Sequence, residues 1–138
     1  MIEFNYHTDF SLTNEIELTS WIENIISKLG FRMGDIEYNF VDDDELYELN
    51  VEYLNHDTLT DIISFDYSLG DFVHGEIFIS LDRVRENAFE FGVDFLDELH
   101  RVMIHGILHY CGINDETEEE AAAMRLKENW ALNLLKVE

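Results

Sequence analysis

The stretch VMIHGILHYCGIND, from Val102 to Asp115, constrains this chain more than any other part of it. Val102, Met103, Ile104, Ile107, Leu108 and Cys111 leave little polar surface for water, so a helix over 95–111 must sit in the middle of the fold with both faces covered. His105 and His109 interrupt that apolar run four residues apart, on one face and one turn from each other. Buried imidazoles need hydrogen-bond partners, and few polar groups stand nearby in sequence. Two core histidines satisfied by their neighbours are one reading; a shared cation is the other. Gly112 stops the helix, and Asp115 follows where a turn can bring it back to the rings. His105, His109 and Asp115 are thus candidate ligands for one divalent metal ion, zinc first. Three protein ligands leave a coordination position for water, as in catalytic zinc sites.

The chain has 138 residues, the size of one domain, and residues 1–138 are read as a single unit. There is no proline, repeat or low-complexity segment to mark a linker. At 46% hydrophobic, with 2 Trp, 6 Tyr and 10 Phe, it has the composition of a globular protein. Cys111 is the single cysteine, so no internal disulfide forms, which fits a reducing cytosol. The opening MIEFNYHTDF has no basic and apolar run of a signal peptide, and no segment has the ~20 apolar residues of a membrane span. A cytoplasmic protein with no membrane partner is expected.

Eight Lys and Arg stand against 31 Asp and Glu, a formal charge of −23. Such a polyanion repels nucleic acid at long range, which argues against general affinity for DNA or RNA. It leaves room for a local basic patch, a bound cation or docking onto basic proteins. A solvated acidic surface or salt adaptation explains the charge equally well.

Alternation predicts strands at 2–7, 35–41, 60–67 and 75–80. Helices are expected after Thr13 or Asn14 up to Gly30, from Asp42 to about Tyr53, over 81–91 behind Ser80, over 95–111, and over 118–135 behind Thr117. Asp42 with Glu45, and Thr117 with Glu120, have capping-box spacing. The order β-α-β-α-β-β-α-α-α predicts an α+β domain: a mixed sheet of about four strands against about five helices, with a zincin-like central helix that carries the metal ligands.

The spacing invites comparison with the zinc-protease pattern HExxHxxGxxH. Gly106 stands where those enzymes carry their general base, so the chemical warrant for a metalloprotease is weak. The segment resembles more closely HGxLHxxGxDH, the signature of the YbeY family of single-domain, metal-dependent endoribonucleases that act in ribosomal RNA maturation and ribosome quality control. His105, Gly106, Leu108, His109 and Gly112 match it. Leu49-Asn50-x-x-Tyr53 and Thr60–Phe65 resemble the family's LNxxYR…TDVLSF; Gly75-Glu76-Ile77 its GD-I/V strand; Met124 and Glu128 its last helix. The resemblance covers roughly residues 40–130. It implies a four-stranded mixed sheet and an endoribonuclease acting on ribosomal RNA precursors, with ribosomal proteins or the small ribosomal subunit as partners.

Two departures stand out. The family's Asp-His pair is Asn114-Asp115 here, so a carboxylate replaces the third imidazole. Zinc accepts that oxygen, at the cost of a less acidic bound water, and manganese or nickel become options. Leu54 replaces an arginine suited to phosphate, for which Arg32, Arg83, Arg101 or Arg125 could substitute. No general base is identifiable; Glu76, Asp57 and Glu116 are weak candidates, and His56 with Asp57 could line the cleft. His7, His74 and His100 lack ligand-like spacing, and His100 reads as a surface residue. A non-catalytic ribosome-assembly factor, holding a structural metal or none, is the rival reading.

Overall fold

The computed structural model describes residues 1–54 and 60–137. Its strands are β1 (Ile2–Tyr6), β2 (Arg32–Val41), β3 (Ile62–Asp66) and β4 (Phe72–Ser80). Its helices are α1 (Glu15–Lys28), α2 (Asp43–Leu54), α3 (Leu81–Phe91), α4 (Phe95–Tyr110) and α5 (Glu118–Val137). The strands form one sheet in the order β1-β2-β4-β3, with β1, β2 and β4 parallel and β3 antiparallel to β4. Element order and fold class are those expected from the sequence. β2 and β4 each begin three residues earlier than expected. Arg32 and Met33 pair with Phe72 and Val73 across a register shift that alternation alone does not signal.

Caps expected from sequence form unevenly. Ser80 accepts a bond from the Arg83 amide, and Thr117 and Glu120 bond each other's amides reciprocally. Asp42 accepts from the Glu45 amide, but the Glu45 carboxylate turns to His7 at 2.7 Å instead of closing the box. Asn14 stands at the start of α1 without a side-chain capping bond.

The pleat divides the sheet between two cores. Ile36, Tyr38, Phe40, Ile77 and Ile79 point to one face and join Trp21, Ile22 and Ile25 of α1 and Met103, Ile104 and Ile107 of α4. The opposite face carries Val41, Ile63, Phe65 and Phe78 beneath Leu46 and Leu49 of α2. Helix α4 packs on the sheet and on α1, α3 and α5, the central position its two apolar faces demand. Two hydroxyls tie it down: Tyr38 donates to the Met103 carbonyl at 2.9 Å, and Tyr110 donates to the Phe65 carbonyl at 2.9 Å. On α1, the Trp21 indole donates to the Ala131 carbonyl of α5 at 2.8 Å. Among the described residues, no helix is long and apolar enough to cross a membrane.

Gly106 marks the closest approach of α4 to the sheet. A Cβ there would meet Ile77 Cδ1 at 3.1 Å and Ile62 Cδ1 at 3.2 Å. The position at which zinc proteases carry their base is therefore pressed against the sheet, with no room for a glutamate.

Candidate metal centre

Helix α4 ends in a Schellman turn. The Gly112 amide donates to the His109 carbonyl at 3.0 Å, and the Ile113 amide to the Leu108 carbonyl at 3.0 Å. Gly112 has φ +88°, a left-handed conformation that costs a glycine little. Ile113 packs back on the core and carries Asn114 and Asp115 toward the histidines.

Asp115 Oδ2 lies 3.2 Å from His105 Nε2 and 3.3 Å from His109 Nε2. The two Nε2 atoms are 2.9 Å apart. Ligands bound to zinc at about 2.0–2.2 Å in a tetrahedron lie roughly 3.3 Å from one another, so the triangle has the dimensions of a metal site. Its chemistry agrees. The His105 ring presents Nδ1 to Glu128 Oε2 at 2.7 Å. With the proton on Nδ1, the Nε2 lone pair faces the cluster. His109 Nε2 and a carboxylate oxygen converge on the same point; with the His109 proton also on Nδ1, the three groups turn lone pairs toward one another, which a shared cation relieves. His105, His109 and Asp115 could hold a metal ion.

Glu128 is the residue that sequence reasoning passed over. It lies in α5, 23 residues from His105, and is 5% exposed. Its second oxygen accepts from Arg101 at 2.8 Å, and Arg101 also donates to Asn129 at 2.8 Å. Burial alone would raise the Glu128 carboxyl, but the bonds from His105 and Arg101 outweigh it and hold the group below its usual range. Burial opposes the charged form of His105, while the Glu128 bond and charge, with Asp115 and Asp61, raise its pKa on balance. A carboxylate behind a ligating histidine fixes tautomer and ring orientation, as is usual at metal sites. The one signal in the sequence was the match of Met124 and Glu128 to a family pattern.

A cavity of about 320 Å³ opens beside the cluster, lined by His105, Asp115 and Glu128 together with Asp61, Glu98, Arg101 and Arg125. The Asp61 carboxylate accepts from Asn87 at 3.3 Å. Burial pushes the Asp61 and Glu98 carboxyls above their usual range.

The other candidates separate from this centre. Glu3, Glu37 and Glu76 form a row across β1, β2 and β4 on the face opposite α4, where Tyr67 donates to Glu76 at 3.1 Å. Glu76 is therefore cut off from the histidines by the sheet itself. Glu116 is exposed and outside the cavity. His56 and Asp57 lie outside the described residues. His100 corrects the surface reading. Its ring packs edge-on to Trp21 at 6.2 Å, and its buried Nε2 has no hydrogen-bond partner among the described residues. Cys111 is half-buried, and burial pushes its thiol up to about 11, as expected of a structural thiol. Of the four arginines considered for phosphate, Arg32 pairs with Asp71, Arg83 with Asp43 and Arg101 with Glu128. Arg125 lines the cavity and makes no ion pair with a described carboxylate.

The chain is similar to known proteins along its whole length. The family model described as Endoribonuclease YbeY matches residues 3–136. The endoribonuclease YbeY of Flavobacterium psychrophilum is 53% identical over 137 residues, covering 99% of this chain and 98% of the relative. That of Flavobacterium johnsoniae is 51% identical over 138 residues, covering 100% and 99%. A solution structure of a Thermotoga maritima protein superposes with a TM-score of 0.69 at 29% identity, covering 98% of this chain and 89% of that one. The chain belongs to the YbeY family of endoribonucleases.

Proposed function

We propose that this protein is a metal-dependent endoribonuclease that cleaves single-stranded segments of ribosomal RNA precursors in the cytoplasm during ribosome maturation. The observation that carries the reading is the convergence of His105, His109 and Asp115 beside an open cavity, in a chain of endoribonuclease kinship. His105, His109 and Asp115 would hold one divalent cation, zinc first. When bound, such a cation supplies Lewis acidity toward a phosphoryl oxygen and lowers the pKa of a water. Glu128 keeps the His105 Nδ1 proton in place and so keeps Nε2 available as a ligand. Arg101 neutralises Glu128 and holds it in position. Asp61 is the carboxyl of the cavity placed to exchange a proton with water. Burial raises its pKa above the usual carboxylate range, so it holds a proton more readily than a free carboxyl.

The net charge of −23 bears on delivery. RNA binding by the isolated chain is expected to be weak at physiological salt and to improve with a basic ribosomal protein, which offsets the repulsion. Metal analysis and cleavage assays on RNA and casein, for wild type and His109→Ala, test the proposal. Metal-dependent cleavage of RNA alone, lost in the variant, is the expected result. Metal without cleavage favours the non-catalytic assembly factor, and cleavage of casein favours a protease.

A further inference from the structure

The cavity beside the histidines does not end there. A second cavity of about 160 Å³ shares Phe91, Glu98, Arg101 and Arg125 with the first and continues to Leu132 and Lys136. Together they form one groove between the end of α3, the first half of α4 and the outer face of α5. Its cations are unusual for this chain. Among the described residues, Arg32, Arg83, Arg85 and Arg101 are each paired with a carboxylate, and Lys127 lies over the Trp130 ring at 4.9 Å. Lys28, Arg125 and Lys136 make no such pair; Arg125, whose charge acts on Glu98, and Lys136 line the groove, and Lys28 does not. Arg125 and Lys136 stand eleven residues apart on α5, about 16 Å along the axis, a span of a few nucleotides. Phe91 lines both cavities and is 56% exposed, an aromatic face open to solvent where a strand leaving the histidine cluster would pass.

We propose that this groove holds the RNA strand flanking the cleaved bond, with Arg125 contacting a backbone phosphate and Phe91 stacking against a base. The inference rests on the endoribonuclease reading and extends it to the substrate. A single strand suits the groove better than a duplex, because an exposed aromatic ring can stack only on an unpaired, splayed base. A guanidinium suits the phosphate, offering two parallel donors. Asp97 and Glu98 also line the outer cavity, so affinity depends on Arg125 standing close to the phosphate and not on a positive field.

The test uses the whole metal-loaded chain and a labelled ten-nucleotide single-stranded oligoribonucleotide. Stopped-flow anisotropy reads binding before cleavage, and the same samples are then followed for cleavage. The variants are Arg125→Gln, Arg125→Lys, Phe91→Ala and Lys28→Gln; Lys28 ends α1 and lines neither cavity. Arg125→Gln is expected to weaken binding roughly tenfold, and to lower the slope of log affinity against log salt by about 0.7, one phosphate contact on a single strand. Phe91→Ala is expected to weaken binding at least fivefold with the slope unchanged. Lys28→Gln, with the same change of charge, should leave both as in wild type, and Arg125→Lys should restore the slope. Wild-type cleavage with Arg125→Gln indistinguishable from Lys28→Gln overturns the groove assignment and leaves the endoribonuclease reading intact. A wild-type chain that neither binds nor cleaves the oligonucleotide, even with a basic ribosomal protein present to offset the charge of −23, overturns both.

Discussion

Helix α4 carries two histidine environments, five residues apart, that differ in one respect. His100 and His105 are both largely withdrawn from water. His100 meets the edge of Trp21 and has no partner for Nε2 among the described residues. His105 meets Glu128 on one ring nitrogen and Asp115 on the other. Burial lowers the pKa of His100, although Asp97 and Glu17 act in the opposite sense. At His105 the carboxylates reverse the same effect. Burial alone makes an imidazole a neutral packing element; burial with a carboxylate behind it orients the ring and leaves its other nitrogen able to ligate.

The comparison can be broken most forcefully at the cluster. His105→Ala or His109→Ala should remove most of the bound metal and with it RNA cleavage, whereas His100→Leu should leave metal content at the wild-type level. Elemental analysis of the purified variants reads this directly, and equal metal in all of them would end the distinction between the two environments.

Glu128→Gln asks whether the carboxylate behind His105 matters to the ligand. The amide keeps the shape, but it removes the charge that holds the Nδ1 proton and leaves Arg101 without its ion pair. Metal affinity should fall roughly 10- to 100-fold. A competition titration with a chelator measures it, and unchanged affinity would reduce Glu128 to a packing role.

Asp115 is the softer side of the triangle, because it stands on a turn and is more exposed than either ring. Asp115→Ala should weaken metal binding on the order of tenfold or more. Asp115→His should keep the metal and make its bound water more acidic, moving the rise of the pH–rate profile to lower pH. An alanine variant that binds as tightly as wild type would place another group in the site.

The smallest effect belongs to His100. Its folded pKa is below the unfolded value of 6.5, so the unfolded chain takes up the proton first. Stability therefore falls as pH drops below 6.5, by at most about 1.4 kcal/mol per pH unit for one proton. His100→Leu should flatten that part of the curve. Denaturant unfolding at pH 7.5 and 5.5 compares the two proteins, and parallel losses would show that His100 is not the group responsible.

These environments were not equally legible in the sequence. The i, i+4 pair, the Gly112 turn and the return of Asp115 are local features, readable because helical periodicity and turn chemistry act over a few residues. The same holds for the four strands, the five helices and the caps at Ser80 and Thr117. His100 was misread for a related reason: being off the face of His105 and His109 does not mean facing water when α1 covers the other side of α4. Glu76 was a reasonable candidate on a strand, until the pleat placed it with Glu3 and Glu37 on the far face of the sheet.

What the sequence determined by itself is the central helix, its two rings and the turn that returns a carboxylate to them. What the tertiary structure decided is which distant groups meet them: Glu128 and Arg125 from α5, Arg101 from the preceding turns of α4, and Asp61 just ahead of β3. The division has a physical cause. Backbone geometry sets the spacing of neighbours along a helix or turn. The partner of a buried charge is chosen by the packing of whole elements, when α5 closes over α4 and leaves Glu128 and His105 to satisfy each other away from water.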